Sequence, residues 1–439
     1  MDIVFVGIGY VGLVSSVMMS YLGHNVTCID TDILKIEQLN AGILPIYEPN
    51  LAEYFKQAIA CGRLRFVSNY SEIAKVQVVF ITVGTPPLPS GNADTSFVLS
   101  AFNNIINQLE KDSIIIIKST VPPGTCRDIV SRLHEKNKQC HVVSNPEFLR
   151  EGCAVEDFLS PDRIVIGVES DYAKLMLEEI YRPLFIRNIL CIWTDLSTSE
   201  LIKYASNAFL ATKIAFINEM ANLCEMIDTN VESLSIGMSS DRRIGAGFLK
   251  AGPGFGGTCF PKDIAALSQY AKSYGLDCLV LNAVIKSNSL RYSDMVKKIC
   301  NIMKMDIAGL TFAVLGLTFK AGTDDIRHSP AVEIIRLLQA QAAIVMAYDP
   351  QVSDAQLQRL CASDSSITIE LKNSAIEICD GADALIITTE WPEFKMLDFD
   401  IIYNKLRAPI IIDLRNLLDP TLIKQKGFRY YGIGAYYGD

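Results

Sequence analysis

No apolar run in the 439 residues approaches the length of a membrane span, so the chain is not expected to cross or enter a bilayer. No block of lysine and arginine interleaves with aromatic residues, and the formal net charge is −9, so nucleic acid is not an expected partner. An acidic balance still leaves room for an anionic ligand, because a few local cations can hold one. Histidine is scarce, with four in the chain and none at H-x-x-x-H spacing, so no metal is expected. C-x-x-C pairs are missing as well. The opening segment MDIVFVGIGYVG has an acid at position 2 and no basic stretch before its apolar run. It therefore reads as a buried strand and not as a signal peptide, and a cytoplasmic location is expected. Low-complexity tracts and long linkers are absent.

Hydrophobic residues make up 50% of the chain and charged residues 20%, which marks a globular protein. The length calls for two or three domains. Most of the twelve cysteines are expected to be small core residues, as at Cys28 and Cys191. Residues 1–196 alternate short β-branched runs with helical patterns, the pattern of a parallel sheet. Its strands read DIVFVGIG, NVTCID, QVVFITVG, SIIIIKST, CHVVSNPEF and finally RIVIGV. Residues 197–305 show no strand pattern. They begin with a long apolar helix for which Ser197 and Glu200 form a candidate capping box. Residues 306–439 return to alternating strands, in TFAVLGLTFK, AIVMAYDP, ADALIITTEWPEF and PIIIDLRN. CID echoes YDP, and VVFITVGTPP echoes LIITTEWPEF. The expected fold is α/β: two Rossmann-like, doubly wound sheet domains joined by a long central helix and a helical dimerisation domain.

Gly7, Gly9 and Gly12 form G-x-G-x-x-G, with Tyr10 and Val11 between the last two. The motif follows a strand and opens a helix, and Asp30 ends the next strand about 20 residues on. Glycines there let backbone approach a pyrophosphate, and the helix N-terminus favours its charge. Asp30 would accept from ribose hydroxyls and repel a 2′-phosphate, which favours NAD, although Lys35 nearby could tolerate phosphate. Two proline turns, VGTPP with Thr85 and STVPPGT with Thr120 and Gly124, read as a ligand-facing wall or as ordinary strand-to-helix turns.

NPEFLREG reads as a short helix capped by Asn145, with Pro146 first and Gly152 last. Glu147 and Glu151 would then share one face, suited to activating water or binding hydroxyls. Lys203 and Asn207 lie one turn apart in an apolar helix stripe, which suits an oxyanion or a sugar hydroxyl. GPGFGGTCFPKD places Cys259, Lys262 and Asp263 directly after a glycine loop. A thiol beside a cation is a candidate nucleophile. A nicotinamide site combined with a nucleophilic thiol suggests oxidation of an alcohol to an aldehyde, capture by Cys259, then a second oxidation and hydrolysis.

GIGYVGL, VGTPP, STVPPGT, NPEFLREG, ELIKYASNAFLATKIAFINE, RRIGAGFLKAGPGFGGTCFPKD and LGLTFKAGTDDIRHSP occur in this order along nearly the whole chain. In these blocks the sequence resembles the UDP-glucose/GDP-mannose dehydrogenase family. The resemblance implies NAD-dependent, two-step oxidation of UDP-glucose to UDP-glucuronate, with GDP-mannose or another nucleotide sugar as the alternative substrate. It implies Cys259 as the covalent catalyst with Asp263 beside it, Lys203 and Asn207 at the oxyanion, Glu147 for thioester hydrolysis and Thr120 ordering water. It assigns Glu151, Lys262 and Arg327 to the cofactor, Glu151 also lying near the sugar. The remaining NPEFLREG side chains, Phe148, Leu149 and Arg150, go to the substrate. So do Phe248, Leu249, Lys250, Ala251, Gly252 and Gly256, with Lys320 and Arg415 from the C-terminal domain. Arg243 is implied to reach across the interface of a homodimer or larger homo-oligomer. A single-step hydroxyacid dehydrogenase and an inactive NAD-binding regulator are the competing readings.

Overall fold

A computed structural model describes residues 1–72 and 76–435; residues 73–75 and 436–439 of the two expected sheet domains lie outside the described residues. The chain divides into two compact units, one of Met1–Ser206 with Gln269–Leu276, the other of Asn207–Ser268 with Asp277–Asp439.

The first unit holds strands β1 (Asp2–Val6), β2 (Asn25–Ile29), β3 (Leu64–Val67), β4 (Val76–Ile81), β5 (Leu109–Ile117), β6 (His141–Ser144), β7 (Ile164–Val168) and β8 (Cys191–Thr194). They form one sheet in the order β3-β2-β1-β4-β5-β6-β7-β8. The first six strands have the dinucleotide-binding order, whose ligand site lies beyond the carboxyl ends of β1 and β4. Helices cover both faces, so the strands read as continuous Val/Ile runs, and Ile114, Ile115 and Ile116 are fully buried.

Two expectations for this sheet need correcting. RIVIGV does not complete it, because β8 pairs beyond β7. The sheet is also not wholly parallel, since β7 runs antiparallel to β6. Asn145, just past the end of β6, donates from Nδ2 to the Val165 carbonyl at the start of β7, so the chain turns back at that edge.

The second unit holds β9 (Thr311–Leu315), β10 (Ile344–Tyr348), β11 (Glu370–Leu371), β12 (Ala384–Ile387), β13 (Ile410–Asp413) and β14 (Arg429–Tyr431), in the order β11-β10-β9-β12-β13-β14. This repeats the topology of the first six strands of the other sheet. The repeat extends to individual bonds. Gly7 N–H donates to the Ile29 carbonyl and Gly316 N–H to that of Tyr348, both at 2.8 Å. Thr82 Oγ1 donates to the Gly7 carbonyl and Thr388 Oγ1 to that of Gly316. Asp30 accepts from Ile8 N–H, and Asp349 accepts from Leu317 N–H. The faint sequence echo is therefore a repeated frame. The copies diverge after the first glycine. The second has GLTFKA, and its Asp349 is 4% exposed, bonded to backbone, Thr318 and Trp391.

The helix Leu196–Met226 continues from the first unit into the second, followed by helices Val231–Ser239, Phe260–Ser273 and Leu279–Met303. The expected capping box is not its start. Asp195 caps it, accepting from Thr198 N–H at 3.0 Å, while Ser197 Oγ accepts from Arg127. Glu200 instead accepts from Gly124 N–H and Cys126 N–H, the first free donors of the helix Thr125–Glu135. Among the described residues no helix is long and apolar enough to cross a membrane. No disulfide joins the twelve cysteines, and the expectation that most are core residues does not hold: only Cys28, Cys126, Cys224 and Cys379 are buried and Cys191 is half-buried, although burial still pushes the Cys28 and Cys191 thiols up to about 12.

Candidate active site

In the first unit the three fingerprint glycines have separate physical roles. Gly7 has φ +94°, and a Cβ there would lie 2.6 Å from Val83 Cγ1. A Cβ on Gly12 would lie 2.0 Å from the Gly7 carbonyl oxygen and 2.8 Å from Thr82 Oγ1. Nothing lies within 4 Å of a Cβ on Gly9, which caps the helix Tyr10–Tyr21. Two glycines thus set the turn and its packing, and the third leaves open space before a helix N-terminus. That cradle suits a pyrophosphate. Asp30 takes the Ile8 amide at 2.7 Å, and Lys35 Nζ sits 3.0 Å from the same carboxylate. Lys35 is therefore engaged by Asp30, an arrangement that fits NAD. Gly12→Ala is expected to weaken NAD binding by ~100-fold or more, about 3 kcal/mol, because the loop must move off its backbone neighbour. Fluorescence titration with NAD checks this, with circular dichroism confirming the fold.

Thr85 Oγ1 donates to the Thr120 carbonyl at 2.8 Å, tying the two proline loops together. Tyr10 donates to Glu48, whose carboxylate also accepts from Gly152 N–H and Ala154 N–H at 2.7 Å each. Burial and Glu48 together push the Tyr10 phenol above its ordinary range. Glu48 thus links the glycine loop to the end of NPEFLREG, and Val11 lies half-buried beside it.

NPEFLREG is not a helix; the next helix is Ala154–Leu159. Asn145 cannot act as an N-cap because its groups are committed elsewhere. Its N–H donates to the Ile117 carbonyl, its Nδ2 to Val165, and its Oδ1 accepts from Tyr181 Oη at 2.6 Å and Lys118 Nζ at 3.3 Å. Glu147 and Glu151 therefore do not share a helix face. Glu147 turns inward to form an ion pair with Lys203 at 3.2 Å, the side chains 7% and 6% exposed, and accepts from Leu149 N–H. Glu151 is half-buried in the following turn. Phe148 lies under the Arg163 guanidinium, 3.7 Å from its ring centroid, with Lys203 Nζ 5.1 Å away. Leu149 packs on the core, and Arg150 pairs with Asp157.

In the second unit the glycine loop is pinned by side chains. Gly252 N–H donates to Asn218 Oδ1, and its carbonyl accepts from Arg291 Nε. Phe255 exchanges bonds with Asn288 in both directions. A Cβ on Gly256 would lie 2.2 Å from the His328 carbonyl oxygen, so only glycine fits. Cys259 is exposed, and its carbonyl accepts from Asp263 N–H at the start of the helix Phe260–Ser273. Helix N-termini are positions that favour a thiolate. Asp263 is buried, taking Asn207 Nδ2 at 2.6 Å and Lys262 Nζ at 2.5 Å. Phe248 has φ +64°, Leu249 and Ala251 are buried, and Lys250 is exposed. Arg415 donates to the Phe319 and Thr388 carbonyls, which places it at the switch point of the second sheet. Lys320 lies beside Phe319, and Arg327 pairs with Asp325. Arg243 is 88% exposed and pairs with Asp241 of its own loop.

Sequence reasoning missed Lys118, Glu48 and Arg163. Each acts through partners far along the chain, and only the two-way engagement of Asn145 reveals Lys118.

Residues 1–185, 197–290 and 313–420 match, in turn, the NAD binding, central and UDP binding domains of the UDP-glucose/GDP-mannose dehydrogenase family. A UDP-glucose 6-dehydrogenase of Rickettsia bellii is 54% identical over 99% of this chain and 100% of its own length. One of Rhizobium meliloti is 43% identical over 99% of each. The structure of a UDP-glucose dehydrogenase from Pyrobaculum islandicum superposes with a TM-score of 0.89 at 34% identity, covering 99% of this chain and 98% of that one. With a dinucleotide cradle built of its own glycines and all three domain matches in sequence order, the chain belongs to the UDP-glucose/GDP-mannose dehydrogenase family and is an oxidoreductase that uses NAD.

Proposed function

We propose that this enzyme oxidises C6 of UDP-glucose to the carboxylate of UDP-glucuronate, with Cys259 carrying the sugar between two oxidations. The observation that carries this reading is the exposed thiol at a helix start, with Asp263 fixed one turn on by Asn207 and Lys262. The activity named for the Rickettsia and Rhizobium relatives supports UDP-glucose as substrate.

NAD supplies the hydride acceptor for both oxidations. Gly7, Gly9, Gly12 and Asp30 would hold it, with Thr85, Thr120, Glu151, Lys262 and Arg327 as further contacts. In the first oxidation the C6 alcohol loses a hydride and its hydroxyl proton, and Lys203 with Asn207 stabilises the oxyanion. The Cys259 thiolate then adds to the aldehyde carbon, and the oxygen takes up a proton to give a thiohemiacetal. Loss of a second hydride and that proton leaves a thioester. Water ordered by Thr120 gives a proton to Glu147 and attacks the thioester carbon; the C–S bond breaks, releasing the acid and restoring the thiol. The ion pair with Lys203 holds the Glu147 carboxylate in place for that role. Phe248, Leu249, Lys250, Ala251, Gly252, Gly256, Lys320 and Arg415 would hold the nucleotide sugar.

A homodimer to which Arg243 contributes belongs to the same reading. Exposed Phe209, Met226 and Ile236 in the helical segment support it. The free thiols support a reducing, cytoplasmic compartment. The direct test is the yield of NADH from limiting UDP-glucose with the product identified. Two NADH per sugar and UDP-glucuronate are expected; one NADH, or efficient turnover of GDP-mannose alone, defeats the reading.

A further inference from the structure

Two guanidinium groups flank Gly252, the first residue of the glycine loop in the second unit. One belongs to Arg415 at the switch point of the second sheet, whose Nη1 would lie 3.5 Å from a Cβ on Gly252. The other belongs to Arg291 on the helix Leu279–Met303, whose Nε donates to the Gly252 carbonyl at 3.0 Å. Their electrostatic settings differ. Arg415 has an anion, with Glu390 Oε2 3.0 Å from its Nε. Among the described residues Arg291 has only neutral acceptors. Its Nη1 donates to the Asn218 carbonyl at 3.4 Å and to Asn222 Oδ1, and its Nη2 has no acceptor. The side chain is 3% exposed, so little water reaches it.

The carboxylates that act on Arg291 are Glu225 and Asp294, and each already has a lysine. Glu225 pairs with Lys298 and also accepts from Gly434 N–H at 2.7 Å, while Asp294 lies 3.4 Å from Lys297. Burial outweighs both and brings the Arg291 guanidinium down to about 10, which leaves it charged at neutral pH. A buried cation without its own anion is costly unless an anion arrives. The loop above it is held close. Gly252 N–H is fixed on Asn218 Oδ1, and a Cβ on Gly254 would lie 3.0 Å from both Asn288 Oδ1 and Tyr292 Cε1, on the helix that bears Arg291.

We propose that Arg291 is a positioning residue whose uncompensated charge, set beneath the Gly252 turn, makes this loop selective for the diphosphate of the nucleotide sugar. The inference rests on the proposed function, in which Gly252 and Arg415 hold that ligand, and adds a residue to it. Arg291 acts through the loop. It draws the Gly252 carbonyl inward, away from an arriving anion, and it supplies positive potential that Arg415, paired with Glu390, supplies only in part.

The test uses the full-length protein and two probes, UDP and uridine, which differ by the diphosphate. Their dissociation constants, measured by nuclear magnetic resonance titration at low ionic strength, give the preference for the charged ligand. Arg291→Gln should lower that preference by ~10-fold or more, chiefly by weakening UDP. Arg291→Lys keeps the charge and loses the planar fork, and should leave the preference within ~3-fold of wild type. An equal loss for UDP and uridine in the glutamine variant, the mark of an arginine that only props the loop, overturns the proposal. So does a lysine variant as unselective as the glutamine one. Asn222→Asp replaces one neutral acceptor of Arg291 by an anionic acceptor of the same shape on an exposed helix position. It should lower the preference by ~3-fold or more, because a charge placed on the partner of Arg291 is felt by the ligand if that of Arg291 is. An unchanged preference in that variant overturns the proposal even where the Arg291 variants do not fold. Failure of the wild type to bind UDP defeats the functional reading and this inference with it, whereas the preference outcomes bear on Arg291 alone.

Discussion

Cys259→Ser is expected to cut formation of UDP-glucuronate by ~1000-fold or more while still allowing a slow first oxidation. The thiol is exposed at the start of the helix Phe260–Ser273, where backbone N–H groups favour a thiolate. A serine hydroxyl at the same place keeps its proton near neutral pH and adds poorly to an aldehyde. The second oxidation needs an adduct that persists between hydride transfers, and a thioester hydrolyses faster than the corresponding ester. The variant should therefore form NADH slowly, no more than about one equivalent, and then stall. Rapid-mixing absorbance at the NADH band, with mass spectrometry of the quenched protein, checks both parts. Wild-type acid yield from the serine variant, or no sugar found on Cys259 of the wild type during turnover, would remove the covalent role.

Lys203→Met should lower stability by about 3–5 kcal/mol near neutral pH, because it leaves the Glu147 carboxylate buried without its cation. The pair is 3.2 Å apart and almost wholly buried, so solvent cannot replace the lost partner. The Leu149 amide that remains on Glu147 is a neutral donor, and Lys118 acts on Glu147 without pairing with it, so together they compensate only in part. The pH dependence follows from the same charge. In the variant, burial raises the folded-state pKa of Glu147 above its unfolded value. The loss is therefore small at acidic pH, where the carboxyl is protonated in both states, and grows as pH rises through the raised folded pKa. Urea unfolding at about pH 4.5 and about pH 7.5 should show a variant deficit only at the higher value. The rate of the first oxidation should fall as well, by ~100-fold or more, with the loss of an oxyanion partner. A variant as stable as wild type at both pH values would mean that Glu147 is not held by Lys203.

Parts of the fold and site that depend on neighbouring residues could be read directly. The fingerprint glycines are recognisable because a turn with positive φ and a backbone contact within six residues admit little else. The long strands announced themselves as Val/Ile runs, and the helix Leu196–Met226 by its length. The short strands β3, β8, β11 and β14 escaped notice because they lack the consecutive Val or Ile residues that mark the equally short β6, β12 and β13. The helix expected in NPEFLREG failed for a different reason. Asn145 and Glu147 have strong local preferences, but partners at Val165, Tyr181 and Lys203 outbid them. The capping box failed similarly, since Glu200 satisfies the helix after Gly124 and not its own.

From the sequence alone came the two-sheet α/β frame, the cofactor class and the candidates for the reactive groups, because these rest on short-range geometry and on the chemistry each side chain carries anywhere. Tertiary structure alone decided which charges are buried together: Glu147 with Lys203, Asp263 between Asn207 and Lys262, and Lys118 on Asn145. Those pairings span up to 56 positions, and the energy of a charge is set by what surrounds it in space, which chain order does not specify.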